Sequence, residues 1–108
     1  MAEVDDEPEL WRAHVRAAHI SMRKALNPFN VRTLMVQDPD EIMRRVHAAG
    51  RVMAAYEAEV VAIMVAHGVL SWRQIAAATG EPHANVYRRH RGAQAGDLAD
   101  VLQELFGA

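Results

Sequence analysis

Residues 67–91 read HGVLSWRQIAAATGEPHANVYRRHR, and their pattern is typical of two short helices joined at a glycine. Ser71 can cap the first helix, because its hydroxyl can accept a hydrogen bond from a backbone N–H two or three residues later. Ile75 and Ala76 then share the face that turns inward at helical spacing. Gly80 tolerates the positive φ that ends a helix and redirects the chain. The sequence therefore predicts a helix over 72–79 and a tight turn after it.

The second helix of this segment is predicted over 82–91. Pro82 favours the first turn of a helix because its φ is fixed near the helical value. Val86 is the apolar residue that faces inward. Asn85, Arg88 and Arg89 remain available to solvent or to a ligand. The segment thus ends in a helix that has one apolar anchor and a polar, arginine-rich surface.

The spacing of three residues in this segment resembles the helix-turn-helix of small bacterial and phage DNA-binding proteins. In that motif an alanine precedes the turn glycine by four residues and an apolar residue follows it by six, as Ala76, Gly80 and Val86 do. The strings SWRQIA at 71–76 and VYRR at 86–89 are also similar to strings in small regulators and resolvase-type domains. The resemblance covers about a quarter of the chain.

Two residues after the turn depart from the usual motif. Glu81 stands where an apolar residue is common, and Pro82 stands where Ser or Thr commonly caps the second helix. A carboxylate at this helix entry can repel DNA, or it can itself cap the helix and favour its dipole. The sequence leaves both roles of Glu81 open.

The resemblance implies that the helix over 82–91 enters the major groove of double-stranded DNA while 72–79 braces it against the backbone. Asn85 suits adenine and Arg88 suits guanine if they reach base edges, whereas the other arginines of the segment are expected on phosphates. A sequence-specific transcriptional regulator or a phage accessory factor is the expected function. The residues predicted to bind DNA are Arg73, His83, Ala84, Asn85, Tyr87, Arg88, Arg89 and Arg91.

The length and composition of the chain indicate one soluble domain. Its 108 residues are enough for a single hydrophobic core. It contains no cysteine, which excludes disulfides and thiolate metal sites and fits a reducing compartment. No apolar run approaches the length of a membrane span, and the acidic first ten residues lack the order of a signal peptide. We expect a cytoplasmic protein that has no membrane partner.

The net charge of −2 conceals an uneven distribution along the chain. Residues 1–10 carry five acids and no base, and residues 11–35 carry five bases and no acid. Residues 68–92 carry four arginines and one glutamate, and residues 97–108 carry three acids and no base. A basic motif between acidic ends fits contact with phosphates, whereas the charge of 11–35 is read as ordinary surface charge.

The chain before the long helix is predicted to hold a tail, a helix and a connector. Residues 1–7 are acidic and aperiodic, which predicts a disordered tail. Residues 31–37 are ambiguous between an extended segment and a short helix, with Leu34 and Met35 expected to be buried. Over 8–26 the apolar residues recur at spacings of four and three, which predicts an amphipathic helix. These residues are Trp11, Val15, Ala18, Met22 and Leu26.

The longest element is predicted over 40–67. Asp38 and Pro39 form a strong helix start, because a cap is followed by a proline in the first turn. Apolar residues then alternate at spacings of four and three, which lets this helix lie along another at a small angle. This face is expected either to pack on 8–26 of its own chain or to form the seam of a homodimer. Its residues are Ile42, Val46, Ala49, Met53, Tyr56, Val60 and Ile63.

These elements divide the chain into three parts. Residues 8–67 form a helical hairpin with a possible dimerisation face, and 57–92 form a trihelical helix-turn-helix unit. A short amphipathic helix over 97–106, capped by Asp97, is expected to cover the core of that unit or to add a dimer contact. No strand pattern follows residue 91, so the predicted fold is all-α and has no β wing.

Motifs of catalytic and metal chemistry are missing from the sequence. No pair of histidines stands at i, i+4 with a carboxylate partner, as a helical metal site requires. No glycine-rich phosphate loop, nucleophile elbow or dinucleotide fingerprint occurs either. We expect a protein that is not an enzyme and has no metal or cofactor.

A second function, from a different class, also fits the sequence. In this alternative the chain keeps the helix-turn-helix fold but is an adaptor or inhibitor that binds a host or regulatory protein. Glu81, the acidic termini and the long apolar helix favour it. A continuous positive surface around residues 73 and 83–91 favours DNA, whereas exposed Val, Met and Leu there favour a protein partner.

Overall fold

The computed structural model describes residues 10–107, and every regular element in that range is a helix. The predicted all-α class is therefore confirmed for this range. None of its helices is both long and apolar enough to cross a bilayer. The predicted disordered tail at 1–7 lies outside the described residues. The helices are α1 (Leu10–Leu26), α2 (Val31–Leu34), α3 (Pro39–Ala66), α4 (Trp72–Thr79), α5 (His83–His90) and α6 (Asp97–Phe106).

α3 is the longest helix, and local hydrogen bonds fix its start. The Asp38 carboxylate accepts a hydrogen bond from the Glu41 backbone N–H at 2.8 Å, which caps the helix. The Glu41 carboxylate in turn accepts hydrogen bonds from Arg44 and Arg45, one turn later. The helix then runs for 28 residues, and the glycine in its middle does not interrupt it.

α1 lies antiparallel to α3, as two contacts along its length show. The ring of His14 is 5.5 Å from the ring of His67. Further along α1, Nδ1 of His19 is 3.2 Å from the hydroxyl of Tyr56. α6 packs on both helices, and the three together bury a first hydrophobic cluster. The buried members of this first cluster are Ala18, Met22, Val52, Ala55 and Leu98.

A second hydrophobic cluster joins the C-terminal half of α3 to α4 and α5. Its buried members are Val61, Ile75, Ala76 and Val86. The half-buried residues packed around them are Val65, Leu70 and Trp72. Because α3 contributes to both clusters, it fixes α4 and α5 relative to α1 and α6.

Asp97 does not cap α6 as predicted. The N-cap position is held by Gly96, which has a φ of +102° and no side chain that could accept a hydrogen bond. The carboxylate of Glu59, on α3, takes over this role by accepting from the backbone N–H groups of Gly96 and Leu98 at 3.0 Å. Asp97 instead accepts from the Gln94 backbone N–H at 2.8 Å. α6 is thereby fastened to α3 and covers the first cluster. Of its two predicted roles, covering the core around α4 and α5 is wrong, and a dimer contact stays a prediction.

The connector between α1 and α3 contains the short helix α2. Asn30 caps it by accepting from the Thr33 backbone N–H at 2.9 Å. Leu34 is half-buried, but Met35 is 64% exposed, so the predicted burial of Met35 is wrong. Met35 is the C-cap residue directly after this single turn, and its side chain projects into solvent.

Replacing Ile75 with Asp is expected to unfold the second cluster, because Ile75 is 5% exposed and an unpaired buried charge costs several kcal/mol. Ala77→Asp, on the exposed side of the same helix, is the matched control. Thermal melting followed by circular dichroism should show a large fall in the midpoint for Ile75→Asp and a small change for Ala77→Asp. Equal midpoints for Ile75→Asp and the unmodified protein would contradict the described core.

Replacing Glu59 with Ala is expected to lower the free energy of unfolding by about 1–2 kcal/mol, the usual effect of losing an N-cap. Glu57→Ala, on the same helix, removes a carboxylate that is 51% exposed and lies 4.0 Å from the His90 ring nitrogen. This control should change the free energy of unfolding by no more than about 0.5 kcal/mol. The measurement is urea denaturation of both variants, and an equal loss in the two would exclude a capping role for Glu59.

Candidate nucleic-acid interface

α4 is held at both ends by its own sequence. Oγ of Ser71 accepts from the Gln74 backbone N–H at 3.2 Å, and the Gln74 side chain accepts from the Ser71 backbone N–H at 2.7 Å. At the other end Gly80 has a φ of +75°, and the backbone N–H groups of Gly80 and Glu81 both donate to the Ala76 carbonyl. The predicted cap and the predicted left-handed glycine are confirmed.

α5 is anchored to the rest of the molecule by its buried side. Val86 is 1% exposed and belongs to the second cluster with Val61, Ile75 and Ala76. His90 follows one turn later on the same side and is 4% exposed. The other six residues of α5 are exposed, so most of this helix faces solvent.

All eight residues predicted to bind DNA are exposed. Arg73 lies in the first turn of α4, and the other seven lie on α5 or directly after it. Trp72 and Tyr87 form an edge-to-face contact with ring centroids 5.3 Å apart, and Tyr87 also stacks on His83 at 6.4 Å. The contact between Trp72 and Tyr87 brings the first turn of α4 beside α5. We call the exposed residues of α5, together with Arg73 and Arg91, the α5 surface.

Asn85 and Arg88 are neighbours on the outer side of α5. Nη1 of Arg88 is 3.5 Å from Oδ1 of Asn85, at the outer limit of a hydrogen bond, and both side chains are exposed. The pair offers an amide and a guanidinium group side by side. These are the two groups that form bidentate contacts with the edges of purine bases.

Arg89 has partners within the chain. Its guanidinium donates to the Glu81 carboxylate at 2.6 Å, and its Nε donates to Nε2 of His90 at 3.1 Å. The hydrogen bond from Arg89 lowers the pKa of Glu81, so this carboxylate stays ionised and balances one arginine charge of the α5 surface. Glu81 does not cap α5, because the N-cap residue is Pro82 and it has no side-chain hydrogen bond.

His90 is a core residue that the sequence reasoning did not identify. Its Nε2 lies 4.0 Å from a Glu57 carboxylate oxygen, and its Nδ1 has no hydrogen-bond partner in the described part of the chain. The sequence does contain a signal for this burial. His90 stands four residues after Val86, the spacing that puts two residues on one face of a helix.

The predicted dimer face of α3 is divided between the core and the surface. Val46 and Met53 are exposed, but Ile63 is only 4% exposed, so its assignment to a dimer interface is wrong. Ile63 follows Met53 by ten residues, which places it about 80° away around the helix and turns it into the core of its own chain. The remaining members of the face are half-buried, and they are Ile42, Ala49, Tyr56 and Val60.

An apolar groove of about 530 Å³ lies between α3 and α4. Glu57 is the one charged residue that lines this groove among the described residues. Met53 belongs both to the exposed face of α3 and to the groove, so the two apolar features are continuous. The residues that line this groove include Val60, Met64, Leu70 and Ala78.

Comparisons of the chain with protein-family models, with curated proteins and with solved structures found no match.

Proposed function

We propose that the protein binds double-stranded DNA through α4 and α5, which act as a helix-turn-helix in a sequence-specific transcriptional regulator or phage accessory factor. The observation that carries this proposal is the orientation of α5. Val86 is turned into the core, Gly80 is left-handed six residues earlier, and the polar side of the helix is free. A helix presented in this way fits the major groove, which is about 12 Å wide.

The side chains of the α5 surface divide into base-reading and phosphate-binding groups. Asn85 and Arg88 project beside each other, and they suit adenine and guanine respectively. Arg73, in the first turn of α4, and Arg91, directly after α5, suit phosphates. This role requires no catalytic group, metal or cofactor.

The protein acts as a homodimer in this proposal. Val46 and Met53 are exposed one heptad apart on α3, and Val60 is half-buried one heptad further on. Burial of this row against a second chain removes apolar surface from water. A dimer also presents two copies of α5, as DNA sites with two-fold symmetry require.

A protein-interaction adaptor or inhibitor is the second candidate. The groove between α3 and α4 favours it, because an apolar groove accepts the hydrophobic side of a partner helix. The ion pair between Glu81 and Arg89 also favours it, since it reduces the charge available to phosphates. α5 itself exposes no Val, Met or Leu, and this composition favours DNA at the α5 surface.

Two substitutions are expected to separate base reading from phosphate binding. Asn85→Ala should relax the preference at one base pair at a cost of about 1–3 kcal/mol for the preferred sequence. Arg91→Ala should weaken binding to all sequences alike and, because a dimer loses one phosphate contact per chain, reduce the salt slope by about two units. The measurement is a salt titration of binding to a selected duplex and to a scrambled duplex. If Asn85→Ala loses as much affinity for the scrambled duplex as for the selected duplex, Asn85 does not read a base.

Replacing Glu81 with Gln is expected to strengthen DNA binding, because it removes a negative charge and releases the Arg89 guanidinium for a phosphate. Affinity at low salt should rise roughly three- to tenfold for every sequence, with a steeper salt dependence. Glu104→Gln, which breaks the ion pair with Arg51 away from the α5 surface, is the matched control. Fluorescence anisotropy measures both, and an equal affinity for the two variants would exclude Glu81 as an internal competitor.

A further inference from the structure

One side of α3 is apolar and uncovered within residues 10–107. Val46 and Met53 are 49% and 45% exposed, and Val60 is half-buried. These three residues stand seven positions apart, close to two helical turns, so they form one row along the helix. A contiguous exposed apolar row of this kind marks an interaction surface.

The row is symmetric about Met53. Val46 and Val60 lie seven residues to either side of it, and Gly50 and Tyr56 lie three residues to either side. If α3 pairs antiparallel with the same helix of a second copy, about a two-fold axis at Met53, then Met53 faces Met53 and Val46 of each copy faces Val60 of the other.

Met43 is the side chain that fits the groove between α3 and α4. It is 64% exposed and stands five helical turns before Val61, so the two residues lie on the same side of α3. Val61 is part of the second cluster and therefore marks the side that holds α4 and α5. In the antiparallel pair Met43 reaches the level of Val60 and Met64 of the second copy, which line its groove. Methionine is well suited to irregular apolar space of this kind.

We propose that the occupant of this groove is a second copy of the chain. α3 pairs antiparallel with α3 of that copy about Met53, and Met43 of each copy enters the groove of the other. The inference rests on the homodimer proposed above and specifies its geometry. The interface is isologous, because each copy supplies both the methionine and the groove.

A parallel pair fits the same residues less well. Its two-fold axis runs along α3, so Met43 stays level with Met43 of the second copy, far from the groove residues at 60–64, and both grooves stay empty. It also puts the two α5 surfaces on opposite sides of the dimer. In the antiparallel pair the two-fold axis is perpendicular to both α3 helices. The α4 sides of the two copies therefore face the same way, and the two α5 surfaces lie on one side of the dimer.

The antiparallel spacing also suits DNA. α4 and α5 join α3 near Val61, eight residues from Met53, so the two points of attachment are about 24 Å apart along the paired helices. The resulting separation is of the order of one DNA turn, about 34 Å, which is the half-site spacing of dimeric helix-turn-helix proteins.

Cysteine cross-linking tests this geometry, because the natural chain has no cysteine. Met53→Cys, Val46→Cys and Val60→Cys are oxidised separately without DNA and analysed on non-reducing gels. A disulfide needs Cα atoms within about 7 Å, whereas the two copies of residue 46 lie about 21 Å apart in the antiparallel pair. Met53→Cys should therefore link to itself, and the other two should link only when they are mixed. Ala13→Cys, on the exposed side of α1, is the control for random collisions.

A second cross-link tests the groove itself. Met43→Cys mixed with Ala78→Cys should form a mixed dimer, and neither should do so alone. Circular dichroism checks that each variant is folded, and light scattering checks that the unmodified protein is a dimer at micromolar concentration. Self-linking of Val46→Cys and of Val60→Cys overturns the antiparallel pair, and so does a monomer in light scattering. Because no DNA is present, failure of the proposed DNA binding leaves this result intact, and the reverse also holds.

Discussion

The burial of Val86 against α3 and α4 determines how α5 is presented. A fully buried valine contributes about 1.5–3 kcal/mol, and here it acts with Ile75 and Ala76 in a single cluster. Since α5 has only eight residues, burying Val86 and His90 on one side leaves the opposite side to solvent. The polar residues of the α5 surface are thus exposed as a direct consequence of how the helix packs.

α3 fixes the position of α5 relative to the rest of the molecule. It contributes Val52 and Ala55 to the first cluster and Val61 to the second, so the α5 surface is fixed relative to the uncovered row on α3. Glu59 adds to this, because its carboxylate fastens the start of α6 to the same helix. The α5 surface, which we propose binds DNA, and the uncovered row on α3, which we propose binds a second chain, are consequently held in a fixed relation by a single helix.

Local signals in the sequence predicted much of this fold. Ser71 and Gly80 bound α4 as expected, because a cap and a left-handed glycine depend on residues within one turn. The capping of α6 by Glu59 was not predictable, since its partners are 37 and 39 positions away in the sequence. The pairing of Glu81 with Arg89 depends on how the turn places the start of α5, and spacing alone did not reveal it. Sequence thus identified the exposed candidates, while tertiary contacts decide which of their charges are free.

A salt titration of the unmodified protein on labelled duplex DNA tests the DNA-binding proposal most directly. Arg73, Arg88 and Arg91 of each chain are the cations assigned to DNA, and a dimer brings twice that number. Binding should be tight at low salt, and the logarithm of the binding constant should fall linearly with the logarithm of salt concentration, with a slope of about −4 from the four phosphate contacts assigned to Arg73 and Arg91 of the two chains. Absence of binding at low salt, where attraction between the arginines and phosphates is strongest, would contradict the proposal and favour a protein partner.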